Sequence, residues 1–247
     1  NAYCVASGQT GADLPYPNIV ALNEHASILH YQNLHREAPR QTRSFLLDAG
    51  AQFNGYASDI TRTYARGEPL FEALIDSMDA MQQTLYAEAR AGTDFGNLHD
   101  MAHRLLAGVL KNNALVSCSE EQAYDDGITR MFLPHGLGHL LGLQVHDVGG
   151  WLSSPSGELR KPPEKYPMLR LTRQLEPGIV VTIEPGIYFI PSLLNELEQS
   201  TLGHSVSWDK ITALLSCGGI RVEDDILVTA AAPRNLSRQA LLDAAES

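Results

Sequence analysis

Apolar and polar positions along the chain switch between a period of two and a period near 3.6, and the switches mark the expected elements. Ile19-Val20-Ala21-Leu22 and Ile28-Leu29-His30-Tyr31 read as two strands joined by a loop over residues 23–27. A second hairpin occupies residues 45–64, with Asn54-Gly55 at its tip, because both residues tolerate the positive φ of a type I′ turn. With that loop, Phe53 pairs with Tyr56, and counting back sets Asp48 opposite Thr61. Side chains repeat every second residue, so Asp48 and Asp59 share one face as diagonal neighbours, their backbones about 7–8 Å apart. Two carboxylates so placed repel each other unless a cation lies between them, and a metal ion is the obvious candidate.

After Gly67 the period lengthens. Pro69 suits the first turn of a helix whose apolar positions Leu70, Leu74, Ile75, Met78, Met81, Leu85 and Ala89 run to a stop at Gly92. Thr93 or Asp94 caps a second helix with Leu98, Met101, Ala102, Leu105, Leu106, Val109 and Leu110 on one stripe, ending at Asn112-Asn113. Ser119 with Gln122 predicts a short capped helix. Glu176-Pro177-Gly178 turns into a buried strand over residues 179–184, which Pro185-Gly186 cuts short. A short helix is expected over 208–215, a final strand over 219–228 and a terminal helix from Pro233 onward. Residues 1–17, 153–167 and 191–204 read as loops, the middle one lying over a site. Strands in hairpins followed by a helix pair predict an α+β layout with mostly antiparallel sheet, in one domain.

Composition narrows the partners. A chain of 247 residues with 44% hydrophobic content can bury a large core. Its formal charge of −11 disfavours nucleic acid and anionic membranes. No apolar run approaches the roughly 20 residues that a membrane-spanning helix needs. Three distant cysteines (Cys4, Cys118, Cys217) without a Cys-x-x-Cys exclude a cysteine-rich zinc module and suit a reducing, cytoplasmic setting. The chain begins at Asn1 with no signal-peptide pattern and reads as a piece of something longer.

Polar residues at apolar positions point to chemistry. Asp48 follows Phe45-Leu46-Leu47, Glu184 ends Ile179-Val180-Val181-Thr182-Ile183, Glu223 sits inside a strand pattern, and His139 lies in the glycine-rich stretch Pro134-His135-Gly136-Leu137-Gly138-His139. Any one of the acids alone reads as a rim charge beside a Lys or Arg. Together they ask for a shared cation, because a buried unpaired carboxylate is very costly. His99-Asp100-Met101-Ala102-His103 has the two-histidine spacing of a metalloprotease helix. Its acid is one methylene too short, and the apolar stripe beside it already accounts for the helix. His25, His35 and His204 have only loop context and read as solvated; Tyr56, Tyr188 and Trp151 read as core or rim aromatics.

Six stretches, in this order, resemble the motif set of the pita-bread metallopeptidases. They are Leu46-Leu47-Asp48-Ala49-Gly50, Ala57-Ser58-Asp59-Ile60-Thr61-Arg62-Thr63, Pro134-His135-Gly136-Leu137-Gly138-His139, Val145-His146-Asp147-Val148-Gly149, Thr182-Ile183-Glu184-Pro185-Gly186-Ile187-Tyr188 and Gly219-Ile220-Arg221-Val222-Glu223-Asp224-Asp225. Within that group the similarity is nearest to the bacterial Xaa-Pro dipeptidases (prolidases), whose relatives include organophosphorus acid anhydrolases. Matching sequence runs from about Pro15 to the last strand. The resemblance implies a creatinase/aminopeptidase-like fold, a curved, mostly antiparallel sheet with helices on one face. It implies one catalytic domain over residues 1–247, with the family's N-terminal domain absent.

The same resemblance implies five ligands for two divalent ions, Asp48, Asp59, His139, Glu184 and Glu223, with Asp59 and Glu223 bridging. Oxygen-rich ligation with one imidazole and no sulfur suits Mn(II), with Co(II) or Zn(II) as substitutes. Hydrolysis of Xaa-Pro dipeptides would follow from a hydroxide between the ions, with Glu184 passing its proton to the leaving nitrogen. By the same analogy His30 and His146 contact the substrate and the tetrahedral oxyanion, and Arg221 hydrogen-bonds near the metals. Arg170 matches the position that receives the substrate's carboxylate, a task suited to a guanidinium fork. His135 is expected to support the site rather than react. The substrate class is a small peptide, and the full-length protein is expected to be a homodimer. Two other functions stay open on the sequence: a phosphotriester hydrolase using the same site, and a non-catalytic binding module of the same fold.

Overall fold

A computed structural model describes residues 2–33, 35–153 and 156–245. Strand β1 (Ile19–Leu22) lies antiparallel to β2 (Ser44–Ala49). The chain passes through the short tip strands β3 (Gln52–Phe53) and β4 (Tyr56–Ala57), then returns as β5 (Ile60–Ala65), giving the order β1-β2-β5. Asn54 and Gly55 take φ of 51° and 82°, Phe53 faces Tyr56, and Asp48 faces Thr61. The hairpin therefore has the register its turn residues predict. Between arm and tip the two strands close on each other at Gly50, where a Cβ would stand 2.1 Å from the Ser58 carbonyl oxygen. Only glycine allows that approach.

Residues 28–31 are not a strand, contrary to the sequence pattern. Asn23–Ser27 form a 3-10 turn, and the Asn23 side chain explains the different pairing. Its Oδ1 accepts from the backbone N–H groups of Arg43 (2.7 Å) and Ser44 (3.3 Å), and its Nδ2 donates to the Gln41 carbonyl (2.8 Å). Those bonds set residues 41–44 beside the end of β1, and β2 takes the antiparallel place that residues 28–31 were expected to fill.

Helix α1 (Ala2–Ser7) replaces part of the loop expected at the start. Helix α2 (Pro69–Glu88) opens on its proline, and α3 (Phe95–Asn112) is capped by Asp94, whose side chain accepts from the Asn97 N–H. Helix α4 (Glu120–Asp125) has the full capping box of Ser119 and Gln122, and α5 (Ile128–Phe132) follows. Leu74, Met78 and Leu85 of α2 and Leu98, Ala102, Leu106 and Leu110 of α3 are fully buried, the apolar faces their spacing predicts. Each buried leucine or phenylalanine contributes about 1.5–3 kcal/mol. Helix α3 also buries His99 and His103, which the stripe alone leaves at its margin.

Strand β6 (Val180–Ile183) stops at Glu184-Pro185, and β7 (Gly186–Tyr188) resumes beyond the proline. Helix α6 (Pro191–Gln199) stands where the sequence suggests a loop; it is short, and only Leu194 and Leu197 reach the core. Helix α7 (Trp208–Leu215) matches the expectation. The single strand expected over 219–228 is two: β8 (Gly219–Arg221) pairs with β7, and β9 (Asp224–Leu227) pairs with β6. Proline-broken partners need a broken strand opposite, so Val222 N–H goes to the Pro185 carbonyl and Glu223 N–H to the Thr61 carbonyl. Strand β10 (Arg234–Asn235) edges β9, and α8 (Leu236–Ala245) closes the described chain.

Every strand pairing between these elements is antiparallel, with the helices packed against the sheets, an α+β architecture. The isolated Thr61–Glu223 bridge joins the β1-β2-β5 sheet to the later strands. The stretch 153–167 is irregular as expected, apart from residues 154 and 155, which lie outside those described. Among the described residues no helix is long and apolar enough to cross a membrane.

Candidate metal centre

Five elements end at one place. Strand β2 delivers Asp48, the entry to β5 delivers Asp59, and the glycine-rich loop delivers His139. The end of β6 delivers Glu184, and the gap between β8 and β9 delivers Glu223. All five line a cavity of about 270 Å³, together with His30, His135, His146, Arg170 and Arg221. Asp59, His139 and Glu223 each offer a ligand atom within 4.8 Å of the others. His139 Nε2 lies 3.4 Å from Asp59 Oδ2 and 3.7 Å from Glu184 Oε1. Its Nδ1 is 3.0 Å from the Leu140 carbonyl, which fixes the ring and turns Nε2 toward the acids.

Asp48 and Asp59 do share a face, and a residue that the sequence did not single out occupies the space between them. The Tyr16 hydroxyl is 2.7 Å from Asp48 Oδ1 and 2.5 Å from Asp59 Oδ1. Burial and the acids beside it push its phenol far up, so it keeps its proton. Pro15-Tyr16-Pro17 reads as loop punctuation, and the available signal was its place at the start of the family-like sequence.

The other oxygen of Asp48 takes a 2.5 Å bond from Arg221 Nη2. Buried Arg221 also donates from Nε to Thr61 Oγ1 (3.2 Å) and from Nη1 to the Tyr188 hydroxyl (3.0 Å). That hydroxyl is 2.9 Å from His135 Nε2, so Tyr188 and His135 brace Arg221 from behind. Thr61 Oγ1 in turn donates to Glu223 Oε2 at 2.6 Å. Asp225 accepts the Asp59 backbone N–H at 3.2 and 3.3 Å, holding that carboxylate's own backbone in place.

The charges do not balance within the protein. Burial pushes Glu223 well above the ordinary carboxylate range, and Asp59, Glu184 and Asp48 push it further. Burial likewise raises Glu184 to about 7, with His139 and Arg221 opposing and Asp59 and Asp48 adding. Four acids face one guanidinium, and the upward shifts of Glu223 and Glu184 mean that without a cation the cage takes up protons rather than standing fully ionised. Its donor set of four carboxylates and one imidazole, without sulfur, fits hard to borderline divalent cations.

His30 and His146 stand exposed at the cavity mouth, the His146 ring 4.4 Å from that of His139. Burial, then Arg221 and Arg170, lower His30; burial, then His139 and Arg170, lower His146 to about 4. Arg170 is exposed on the rim and, among the described residues, has no carboxylate partner. His99 and His103 lie outside this cavity, packed on Tyr166, and among the described residues they join no cluster of three or more metal-binding side chains. His25 is half-buried rather than solvated, stacked on Tyr31 and His35, while His35 and His204 are exposed.

A carboxylate-rich cage for divalent cations, set where broken antiparallel strands meet under a helical layer, defines a pita-bread metalloprotein. Residues 2–230 match metallopeptidase family M24, and the chain belongs to that family. It is 52% identical over 238 residues to the Xaa-Pro dipeptidase of Stenotrophomonas maltophilia (strain R551-3), covering 96% of this chain and 54% of that protein. The Xaa-Pro dipeptidase of Xanthomonas campestris pv. campestris (strain B100) matches with the same identity and coverage. Among solved structures, proline aminopeptidase P II from Yersinia pestis superposes with a TM-score of 0.68 at 31% identity, over 92% of this chain and 45% of that one. The Pseudomonas aeruginosa aminopeptidase PepP gives 0.72 at 27%, over 99% and 51%. The chain thus spans about half the length of the relatives it matches.

Proposed function

We propose that this chain is the catalytic domain, residues 1–247, of a metal-dependent peptidase that hydrolyses Xaa-Pro dipeptides. The observation that carries the reading is the convergence of the five donors on one small cavity whose rim holds Arg170, an arginine without a carboxylate partner among the described residues. Asp48, Asp59, His139, Glu184 and Glu223 would hold two divalent ions, Asp59 and Glu223 reaching both. Mn(II) suits the donors best. When bound, such ions supply an acidified water and a polarised carbonyl.

The chain's own residues do the rest. Glu184 is half-buried with both oxygens facing the cavity's histidines, Oε1 3.7 Å from His139 and Oε2 3.9 Å from His135. It takes a proton from the attacking water and returns it to the proline nitrogen, which has no hydrogen of its own and leaves poorly until protonated. His30 and His146 at the mouth orient the peptide and donate to the oxygen that gains charge at the scissile carbon. Arg221, tied to Asp48, Tyr188 and Thr61, keeps the cage from spreading. Arg170 pairs with the substrate's carboxylate, which suits a short peptide with a free C-terminus. The reading also takes the protein to be cytoplasmic and dimeric.

Hydrolysis of an Xaa-Pro dipeptide panel, beside tripeptides and longer Xaa-Pro peptides, with and without Mn(II), tests this. Chelator-sensitive cleavage of the dipeptides is expected. Protein that binds two ions and cleaves none of the panel under any divalent metal would sink the proposal and favour a binding role for the fold.

A further inference from the structure

Helix α3 carries three polar side chains that the cavity does not use, Asp100 and the buried His99 and His103, and all three converge on the segment that leads into Arg170. Asp100 gathers the hydroxyl of Tyr124, the hydroxyl of Tyr166 at 2.8 Å, Lys165 Nζ at 3.2 Å and Arg104 Nε at 3.1 Å. Lys165 Nζ also donates to the Tyr124 hydroxyl at 2.6 Å and stands 4.0 Å over its ring. His103 stacks flat on Tyr166, with ring centres 4.9 Å apart and planes 8° from parallel. His99 meets the same ring edge-on at 4.4 Å. The His103 ring is itself fixed, its Nδ1 3.1 Å from Thr129 Oγ1. Tyr166 belongs to no helix or strand, yet it is buried and held on its hydroxyl, face and edge.

Beyond Tyr166 the chain forms one wall of the candidate site. Met168 and Arg170 line the cavity, and Leu169 between them is buried. The Leu169 N–H returns to the Tyr166 carbonyl at 3.1 Å, and the Leu169 carbonyl accepts Trp151 Nε1 at 3.0 Å. On the other side Gly136 is pressed against this wall, where a Cβ would come within 3.1–3.3 Å of Leu169 Cα, the Met168 oxygen and the Arg170 nitrogen. Among the described residues Arg170 has no ion pair to set its place, so the wall sets its backbone. A guanidinium held in advance costs a carboxylate less ordering on binding.

We propose that His99, Asp100 and His103 form a clamp that fixes the wall carrying Arg170, and that Asp100 is a positioning residue for the substrate's carboxylate. This rests on the assignment of Arg170 to that carboxylate. The clamp does not switch near neutral pH. Burial alone would raise Asp100, but the bonds from Tyr124, Tyr166 and Lys165 hold it at about 2. Burial, then neighbouring cationic groups, lower His99 to about 3 and His103 to about 4, so both stack as neutral rings.

The test uses the whole chain, with Trp208→Phe leaving Trp151 as the single tryptophan. Asp100→Ala should shift Trp151 emission to the red as its bond to the Leu169 carbonyl loosens. The same change should weaken binding of an Xaa-Pro dipeptide to the metal-free protein, read by that emission. In the loaded enzyme KM should rise about three- to tenfold with kcat within about twofold, as expected for lost binding common to ground and transition states. A dipeptide amide, which lacks the carboxylate, should bind both proteins alike. Tyr166→Phe, which deletes one hydroxyl and leaves the stack, should move KM the same way by less. Added to Arg170→Ala, Asp100→Ala should raise KM no further. If Arg170→Ala raises KM while Asp100→Ala and Tyr166→Phe leave it unchanged, the clamp is overturned; equal weakening for dipeptide and amide overturns it too. If Arg170→Ala itself leaves KM unchanged, the carboxylate assignment fails instead, and the clamp loses its purpose.

Discussion

Asp59 ties three separate segments of the site together. Its side chain meets Tyr16 and His139, and its backbone N–H is held by Asp225. Asp59→Asn keeps the shape and removes one charge from the cage. The expected outcome is loss of bound divalent metal in elemental analysis of the purified protein. Unchanged metal content would remove Asp59 from the ligand set. Arg170→Ala belongs at the same scale: it should raise KM for dipeptides far more than for substrates without a free carboxylate, and equal rises would end that role. Residues of this kind were legible because each breaks a local pattern. Asp48, Glu184 and Glu223 interrupt apolar strands, and Asp59 lies two residues from Thr61, which counting back from Asn54-Gly55 sets opposite Asp48. Tyr16 breaks no pattern. Its partners lie 32 and 43 residues away, and only the folded chain brings them together.

Elements that carry their own stop and start signals were readable, and those defined by a distant partner were not. Pro69, Asp94 and the Ser119–Gln122 box mark helix starts through contacts within one turn, so local sequence suffices. The lone alternation at residues 28–31 looks equally strand-like. In the folded chain Asn23 instead ties residues 41–44 beside β1, a contact nothing local announces. Helix α6 has too few buried apolar positions to show a period, and the β8–β9 break answers a proline on another strand. Helix α3 shows the same limit from within. Its stripe predicts the helix, but not that His99 and His103 would be buried against Tyr166. Burying them neutral has a measurable consequence. Their folded values, about 3 and 4, lie below the roughly 6.5 of a free histidine. As pH falls below 6.5 the unfolded chain takes up protons that the folded one refuses, so their stabilising contribution is complete above about pH 6.5 and lost below it. His103 faces Lys165, Arg130, Asp100 and His135, and the first two and His135 reinforce the effect while Asp100 opposes it. His99→Phe keeps a ring against Tyr166 and cannot titrate. Urea midpoints should show wild type losing ground to this variant between pH 7.5 and pH 5. A pH-independent difference would mean that the histidines charge freely in the native state.

The cage lies where the two parts of the molecule close on each other. Strands β2 and β5 bring Asp48 and Asp59; strands β6 to β9 bring Glu184 and Glu223. The ties across this seam are polar: the Asp48–Arg221 pair, the Asp59–Asp225 bond and the Thr61–Glu223 bridge join residues 160 or more positions apart. Without a cation, the buried carboxylates there either repel one another or take up protons, which is the sense of the upward shifts of Glu223 and Glu184. A divalent ion bound there would therefore strengthen the whole fold and not one loop. Mass action sets the size: free metal at 100-fold its Kd adds about 2.7 kcal/mol to the folded state. For a chain of this length that is a rise in Tm of about 5–10 °C. Thermal unfolding with Mn(II), then with excess chelator, should show the rise and its reversal. Asp59→Asn should unfold at the same temperature under both conditions. A full rise in Asp59→Asn would place the stabilising ion elsewhere. Wild type that binds two ions with no change in Tm would mean that the seam does not depend on the cage it encloses.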